Sequence, residues 1–303
     1  MVIERALEKL KQAQAQKTGQ AQAYAPVAAS AAAASAASTA SLARRRTRER
    51  ADAPAPRKLA FPQLQVDRKL AEKNRIALPE SRLAGNAHVG AAYRMVRTRL
   101  LHTMTTNNWT TLAITSPEAG EGKSLTALNL ALNIARDRTT SVFLVDLDMR
   151  NPSICRYLGI QPPQELTAFF ASQVSPAGMF FSIGPDNLAI AGSTSTTAFA
   201  SELLAGRRLD DIIEYVKSVA DNPVVLIDLP PVLLTDEALL VAPRVDATLL
   251  VVSEGKTRRD CLVRAKAMLA DFTSAGVILN RSSENLGARG YDYAYGYGTS
   301  KKS

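Results

Sequence analysis

A glycine-containing loop between an apolar run and a helical pattern constrains the fold of this chain more than any other feature. The loop covers residues 116–124 and reads Ser-Pro-Glu-Ala-Gly-Glu-Gly-Lys-Ser. It follows the apolar run 111–115 and precedes a helical pattern over 125–134. A strand, a glycine loop and a helix in this order form the setting that a phosphate-binding loop requires. The sequence therefore predicts a loop that binds phosphate.

Each residue type in the loop suits that task. Gly120 and Gly122 allow a tight turn that points backbone N–H groups at phosphate, and the helix N-terminus adds partial positive charge. Lys123 is expected to reach the β- and γ-phosphates, and the Ser124 hydroxyl is expected to bind Mg²⁺. Pro117 occupies the place of the first glycine of the strict motif. The predicted nucleotide-binding residues here are Gly120, Glu121, Gly122, Lys123, Ser124 and Leu125.

Acidic side chains follow two further apolar runs. Asp146 and Asp148 come after one run, and Asp228 ends another. Carboxyl ends of parallel strands share one edge of a sheet, so these groups are expected beside the loop. We predict Lys123, Asp146 and Asp148 as catalytic residues. Ser124, Asp146 and Asp228 are the predicted magnesium ligands, with Asp228 in the Walker-B role.

The role of each acidic residue stays open between several interpretations. Asp146 or Asp148 is a general base or a second magnesium ligand. An isolated Asp at a strand end is usually a helix cap or a turn residue. Arg150 is a predicted nucleotide-binding residue. Asn280 is predicted to bind adenine, and a turn role is the alternative.

Apolar strand-like runs alternate with helical patterns from residue 111 onward. Several runs are continuous in Val, Ile and Leu, as in parallel strands that are buried on both faces. This indicates an α/β fold, a P-loop NTPase with a mostly parallel central sheet and helices on both faces. The predicted strands cover residues 111–115, 141–147, 188–191, 224–229, 247–253 and 277–280.

Charge and composition divide the 303 residues into four predicted regions. Residues 1–17 form a short amphipathic helix, 18–60 a low-complexity basic linker, 61–286 the catalytic domain and 287–303 a tyrosine-rich tail. The net charge is +9, and residues 1–110 carry 19 Lys and Arg against 7 Asp and Glu. The basic region therefore suits an acidic partner or an anionic membrane surface.

The sequence indicates neither a protein held together by disulfides or a cysteine-bound metal nor a protein that spans a membrane. The two cysteines, Cys155 and Cys261, are far apart in the sequence, which predicts neither a disulfide framework nor a cysteine metal site. No apolar run is long enough to span a bilayer, and no signal peptide is expected.

The tyrosine-rich tail is a candidate phosphate acceptor. Its tyrosines alternate with small or acidic residues, whereas a buried strand would need apolar partners. Each phosphate would add about −1.5 to −2 charges at neutral pH. An unstructured tail without that role is the alternative. The predicted acceptors are Tyr291, Tyr293, Tyr295 and Tyr297.

Together these motifs resemble the bacterial tyrosine kinases, the P-loop kinases of exopolysaccharide systems. The resemblance covers residue 90 to the end, and residues 2–10 resemble the exosortase-associated subgroup. The matching segments are 116–124, 146–153, 228–231 with Asp236, 276–280 and the tail.

The resemblance implies an ATP- and Mg²⁺-dependent autokinase whose tail tyrosines are phosphorylated in a homo-oligomer by tail exchange. It implies control of exopolysaccharide polymerisation and export, a separate membrane-anchored chain-length regulator and a cognate tyrosine phosphatase. The expected location is cytoplasmic, peripheral at the inner face of the cell membrane. Nucleic acid is not a favoured partner.

Departures from the family pattern leave two alternatives open. Ala91 stands where the family's oligomerisation motif has Glu, although Arg94 and Arg97 match, and Ala119 replaces a family proline. One alternative is a ParA/MinD-like positioning ATPase. Such proteins usually carry Lys early in the loop, where Glu118 stands here. The other alternative is a nucleotide-binding adaptor without catalysis.

Overall fold

Six parallel strands form one sheet at the centre of the computed structural model, which describes residues 59–78 and 87–282. The predicted helix at 1–17, nearly all of the linker at 18–60 and the tail at 287–303 lie outside the described residues. The limits proposed for the four regions stay predictions.

The chain alternates between strands and helices over most of the described length. The strands are β1 Thr111–Thr115, β2 Ser141–Asp146, β3 Leu188–Ala191, β4 Pro223–Asp228, β5 Ala247–Ser253 and β6 Ser274–Asn280. The helices are α1 Arg68–Lys73, α2 Ala87–Asn107, α3 Lys123–Ile134, α4 Ile154–Leu158, α5 Leu166–Phe170, α6 Pro176–Met179, α7 Ala200–Ala205, α8 Arg208–Val219, α9 Glu237–Val241 and α10 Arg259–Met268. A 3₁₀ turn covers Ala242–Arg244.

The strand order is β3-β2-β4-β1-β5-β6, and every pair of neighbours is parallel. All carboxyl ends therefore lie along one edge, and Asp146 of β2 pairs in register with Asp228 of β4. The loop after β1 opens at this edge, between β4 and β5. The predicted α/β fold with a parallel sheet is confirmed.

Side chains of the central strands alternate between two apolar cores, one on each face of the sheet. On β2, Phe143 and Val145 belong to the core that includes residues of α5, α8 and α10. Val142 and Leu144 belong to the core that includes residues of α3 and α4. Burial on both faces explains why the strands read as continuous apolar runs rather than as alternating patterns.

Helix α2 packs beside α3, and one of its arginines forms a hydrogen bond with α3 of the same chain. The Arg97 guanidinium donates to the backbone oxygen of Asn133 in α3, at 3.1 Å. Arg94, in contrast, is exposed. Among the described helices, none is both long and apolar enough to cross a lipid bilayer.

Candidate active site

The loop after β1 has the backbone geometry that its glycines were expected to supply. Gly120 and Gly122 have φ values of 71° and 91°, in the left-handed region that favours glycine. Gly122 is also the N-cap of α3, and a Cβ atom there would lie 2.2 Å from Nδ2 of Asn280. A larger residue at Gly122 would therefore be strained and would also displace Asn280.

Lys123 and Ser124 form the first turn of α3 and are both buried. The Lys123 ammonium donates to Asp148 Oδ2 at 2.5 Å and to Ser124 Oγ at 3.1 Å. It also lies 3.7 Å from Asp228 Oδ1. Burial lowers the pKa of Lys123, but Asp228 and Asp148 outweigh burial, and its pKa ends above the ordinary value. The lysine is therefore charged at neutral pH.

Asp228 is a buried carboxylate without a well-formed hydrogen bond in the described part of the chain. It has no exposed surface, and the Ser124 hydroxyl lies close enough to lower its pKa without meeting the geometry of a full hydrogen bond. Burial raises its pKa, and Lys123 only partly offsets that effect. A buried group of this kind is costly unless a cation compensates it. Its position near Lys123 and Ser124 thus fits the magnesium ligand of a nucleotide complex.

The donor set fits Mg²⁺ only together with a nucleotide. In residues 59–78 and 87–282, no three His, Cys, Asp or Glu side chains are arranged to hold a metal by themselves. Mg²⁺ usually keeps waters and takes one or two carboxylates plus phosphate oxygens. Ser124 and Asp228 would supply the protein oxygens.

Asp146 is already hydrogen-bonded on both oxygens. Its Oδ2 accepts from the backbone N–H groups of Ser153 and Ile154 at 2.9 and 3.0 Å, at the start of α4. Its Oδ1 accepts from the backbone of Asp148 at 3.2 Å. Burial raises its pKa, and the N–H of Ile154 acts in the opposite direction. The geometry is that of a residue that orients the Asp148 segment.

Two further contacts hold the loop from the turn after β5, and no sequence motif predicts them. The fully buried Glu121 accepts from the Thr257 hydroxyl at 2.5 Å, and its other oxygen accepts from the N–H of Glu118 at 3.3 Å. Lys256 donates to the backbone oxygen of Ala119 at 2.7 Å. The only sequence signal for Lys256 and Thr257 is their place just after a predicted strand.

Asn280 also contacts the loop directly. Its Nδ2 donates to the backbone oxygen of Glu121 at 2.8 Å, and its Oδ1 accepts from the N–H of Arg281 at 2.8 Å. Arg281 has a φ of 57°, so the chain turns there. Both the turn interpretation and a place at the nucleotide site thus have a structural basis. Leu125, in contrast, packs its half-buried side chain against the apolar core.

Arg150 lies at the rim of the site. Its Nε donates to Glu237 Oε1 at 2.5 Å, and its side chain keeps 41% of its surface exposed. It lines an open groove of about 480 Å³ that also includes Leu234, Asp236 and Met268. The four predicted acceptor tyrosines of the tail lie outside the described residues.

The site thus combines a phosphate-shaped loop, a charged lysine and three carboxylates at adjacent strand ends. These are the groups that the binding of a nucleotide with Mg²⁺ and phosphoryl transfer require. The family model described as ParA, NUBPL iron-transfer P-loop NTPase, matches residues 108–283, more than half of the chain.

Several relatives and solved structures that are similar to this chain are named as bacterial tyrosine kinases. The chain is 28% identical to the tyrosine-protein kinase YwqD of Bacillus subtilis (strain 168), over 69% of this chain and 86% of the relative. It is 28% identical to the tyrosine-protein kinase CpsD of Streptococcus agalactiae serotype Ia, over 71% of this chain and 92% of the relative. The BceF tyrosine kinase domain superposes with a TM-score of 0.59 at 27% identity, over 73% of this chain and 92% of that domain. The chain therefore belongs to the ParA family of P-loop NTPases, and its predicted resemblance to the bacterial tyrosine kinases is confirmed.

Proposed function

We propose that this protein is an ATP- and Mg²⁺-dependent protein-tyrosine kinase that phosphorylates its own tail tyrosines. The observation that carries the proposal is the ion pair of Lys123 with Asp148 beside the buried Asp228 carboxylate, on a phosphate-binding loop. Relatives that are named tyrosine-protein kinases, and that this chain covers over 86% and 92% of their length, support it.

In the proposed reaction the γ-phosphoryl group moves from ATP to a tyrosine oxygen. The bond from phosphorus to the β–γ bridging oxygen breaks, a bond to the phenolic oxygen forms, ADP leaves and the phenolic proton passes to a carboxylate. Lys123 stabilises the charge on the transferred group. Mg²⁺, which Ser124 and Asp228 would hold together with the nucleotide, would supply further positive charge to the transferred group.

The hydrogen bonds favour Asp148 over Asp146 as the proton acceptor. Asp146 already accepts three backbone N–H groups. Asp148 is held mainly by Lys123, and its Oδ1 accepts one longer bond from the N–H of Asn151 at 3.2 Å. If Lys123 turns to the phosphates, Asp148 gains a free oxygen. We therefore propose Asp148 as the base and Asp146 as the residue that orients it.

The acceptor is proposed to come from a neighbouring copy of the chain, through Tyr291, Tyr293, Tyr295 and Tyr297. The groove at Arg150 and Leu234 is the proposed entry, because it offers an exposed cation and apolar surface for a tyrosine segment. The biological role proposed is control of exopolysaccharide polymerisation and export, at the inner membrane face. There the kinase would work with a membrane-anchored chain-length regulator and a tyrosine phosphatase.

The experiment is incubation of the full chain with Mg-ATP, followed by phosphotyrosine detection and mass spectrometry. A variant with Phe at the four tail positions should lose most incorporation and keep ATP binding, because Phe retains the ring and lacks the acceptor oxygen. Phosphate found mainly on Tyr93, Tyr157 or Tyr215 would contradict the tail assignment.

The ParA family match supports an ATPase without tyrosine transfer as the second candidate. ATP hydrolysis in the absence of any phosphotyrosine would favour that candidate over the kinase. Binding of ATP without either reaction would favour an adaptor. The iron-transfer function that the family's description names is not proposed, since Cys155 and Cys261 are buried in separate helices, α4 and α10.

A further inference from the structure

The turn between β5 and α10 carries a lysine that the proposed mechanism does not use. The Lys256 ammonium donates to the backbone oxygen of Ala119 at 2.7 Å. It also lies against Gly120, where an added Cβ atom would be 2.7 Å from the ammonium nitrogen. Lys256 therefore touches the phosphate-binding loop from a different part of the chain.

The position of this lysine is set by the turn that carries it. The Thr257 hydroxyl accepts from the N–H of Ser253 at 2.8 Å and donates to the buried carboxylate of Glu121. Gly255, with a φ of 69°, allows the tight reversal between them. The turn is thus tied to the loop at Glu121, one residue beyond Gly120. An ammonium in this place is directed at the loop by the fold.

Besides Lys123, the site could accommodate a second cation, because its negative charges outnumber its positive ones once a nucleotide is bound. Lys123 faces the carboxylates Asp146, Asp148 and Asp228, and all four are buried. Arg150 is paired with Glu237. A triphosphate adds further negative charge to this edge of the sheet. Lys256 is exposed, and it donates to a neutral carbonyl oxygen.

We propose that Lys256 is a second phosphate-binding cation, which exchanges the Ala119 carbonyl for a phosphate oxygen of the bound nucleotide. An ammonium gains more from a charged oxygen than from a neutral one, which favours the exchange. The Lys256 stem is flexible, so the exchange needs only rotations of its side chain. The inference rests on the proposed nucleotide binding, and it does not require that the nucleotide's phosphate is transferred to tyrosine.

The test is nucleotide affinity in full-length variants, measured by calorimetry with ATP, ADP and adenosine in the presence of Mg²⁺. Lys256→Met should weaken ATP and ADP binding about five- to tenfold and leave adenosine unchanged. Lys256→Arg should stay within about twofold of the wild type, since it keeps the charge. Lys266→Met, at an exposed lysine of α10, is the matched control and should bind normally.

Lys256→Gln separates a charge effect from a positioning effect. Gln can donate to the Ala119 carbonyl but carries no charge. The Gln variant should therefore bind ATP and ADP as weakly as the Met variant does. Recovery of affinity in the Gln variant, or equal losses for ATP and adenosine, would overturn the inference and leave the proposed function intact. Normal ATP binding by Lys256→Met would also overturn the inference. A wild-type chain that binds no ATP would overturn the proposed function itself. Melting curves establish that each variant is folded.

Discussion

Two carboxylates at opposite ends of the sheet have opposite surroundings. At the amino end, the half-buried Asp246 accepts three hydrogen bonds through one oxygen, from the N–H groups of Thr110 and Thr111 and the Thr111 hydroxyl, at 2.7 to 2.8 Å. At the carboxyl end, the fully buried Asp228 has no well-formed hydrogen bond from the described residues, and its polar neighbours are Ser124 and Lys123, the latter at 3.7 Å.

The pKa values of the two groups move in opposite directions for that reason. Burial would raise the pKa of Asp246, but the bonds from Thr111 and Thr110 outweigh it and lower the pKa. Burial raises the pKa of Asp228 to about 7. The hydrogen-bonded carboxylate at the amino end of the sheet thus stabilises the fold. The carboxyl end keeps an unfavourable charge that a bound cation would compensate, as expected of a functional site.

The largest effect is expected from the lysine at the carboxyl end. Lys123→Met should lower phosphotyrosine formation by about 10²–10³-fold or more, because it removes the charge that stabilises the transferred group. Phosphotyrosine is measured after incubation with Mg-ATP, and circular dichroism checks the fold. Undiminished incorporation in the folded variant would refute the site.

Substitutions of Asp148 and Asp146 should have different effects, because the two carboxylates are proposed to have different roles. Asp148→Asn should reduce phosphotransfer by about 10²-fold, at the lower end of what a general base contributes, with little loss of ATP affinity. Asp146→Asn should lose stability as well, because an amide cannot accept all three N–H groups. Rates and affinities are compared with melting temperatures. A larger rate loss in Asp146→Asn than in Asp148→Asn would contradict this proposal and favour Asp146 as the base.

Removal of the Asp228 charge, which Lys123 offsets only in part, should stabilise the nucleotide-free protein. Asp228→Asn should raise its unfolding free energy at pH 8 by about 1–3 kcal/mol, since Lys123 keeps Asp148 as a partner. In the wild type, the raised pKa means that stability falls as the pH rises from the ordinary carboxyl range to about 7. The variant should show a flatter pH profile in denaturant titrations without ligand. It should also lose the stabilisation that Mg-ATP gives the wild type.

Replacement of Asp by Asn at the amino end of the sheet, at Asp246, should lower the unfolding free energy instead of raising it. Asp246→Asn should lower the unfolding free energy at pH 8 by about 1–2 kcal/mol, because charge-assisted hydrogen bonds are weakened. Its lowered pKa stabilises the protein above the ordinary carboxyl range, and this contribution is lost as the pH falls. Denaturant titrations at a pH above and a pH within that range measure both effects. A gain in stability at the higher pH would contradict a stabilising role for the Asp246 carboxylate.

The smallest effect concerns the contact that holds the phosphate-binding loop. Thr257→Val should raise the KM for ATP about three- to tenfold with little change in kcat, because Glu121 loses a hydrogen-bond donor worth about 1 kcal/mol. Thr257→Ser keeps the hydroxyl and is the matched control. Equal KM values in the Val and Ser variants would show that the hydroxyl does not position the loop.

Local patterns predicted the main elements closely. Five of the six strands begin within one residue of their predicted starts, because continuous Val, Ile and Leu runs identify buried parallel strands. Strand β6 begins at Ser274, three residues before its apolar part, and α3 begins at Lys123 rather than at residue 125. Polar residues at the ends of an element carry no periodic signal, so such ends are hard to predict.

The parallel α/β fold, the phosphate-binding loop and the gathering of Asp146, Asp148 and Asp228 near Lys123 could all be predicted from the sequence. These follow from local signals and from the rule that parallel strands share a carboxyl edge. Only the three-dimensional fold shows which of these carboxylates is fully hydrogen-bonded, and only the fold brings Lys256, Thr257 and Asn280 onto the loop. Those contacts join residues more than 130 positions apart. No periodic pattern encodes them, because they depend on which strands become neighbours in the sheet.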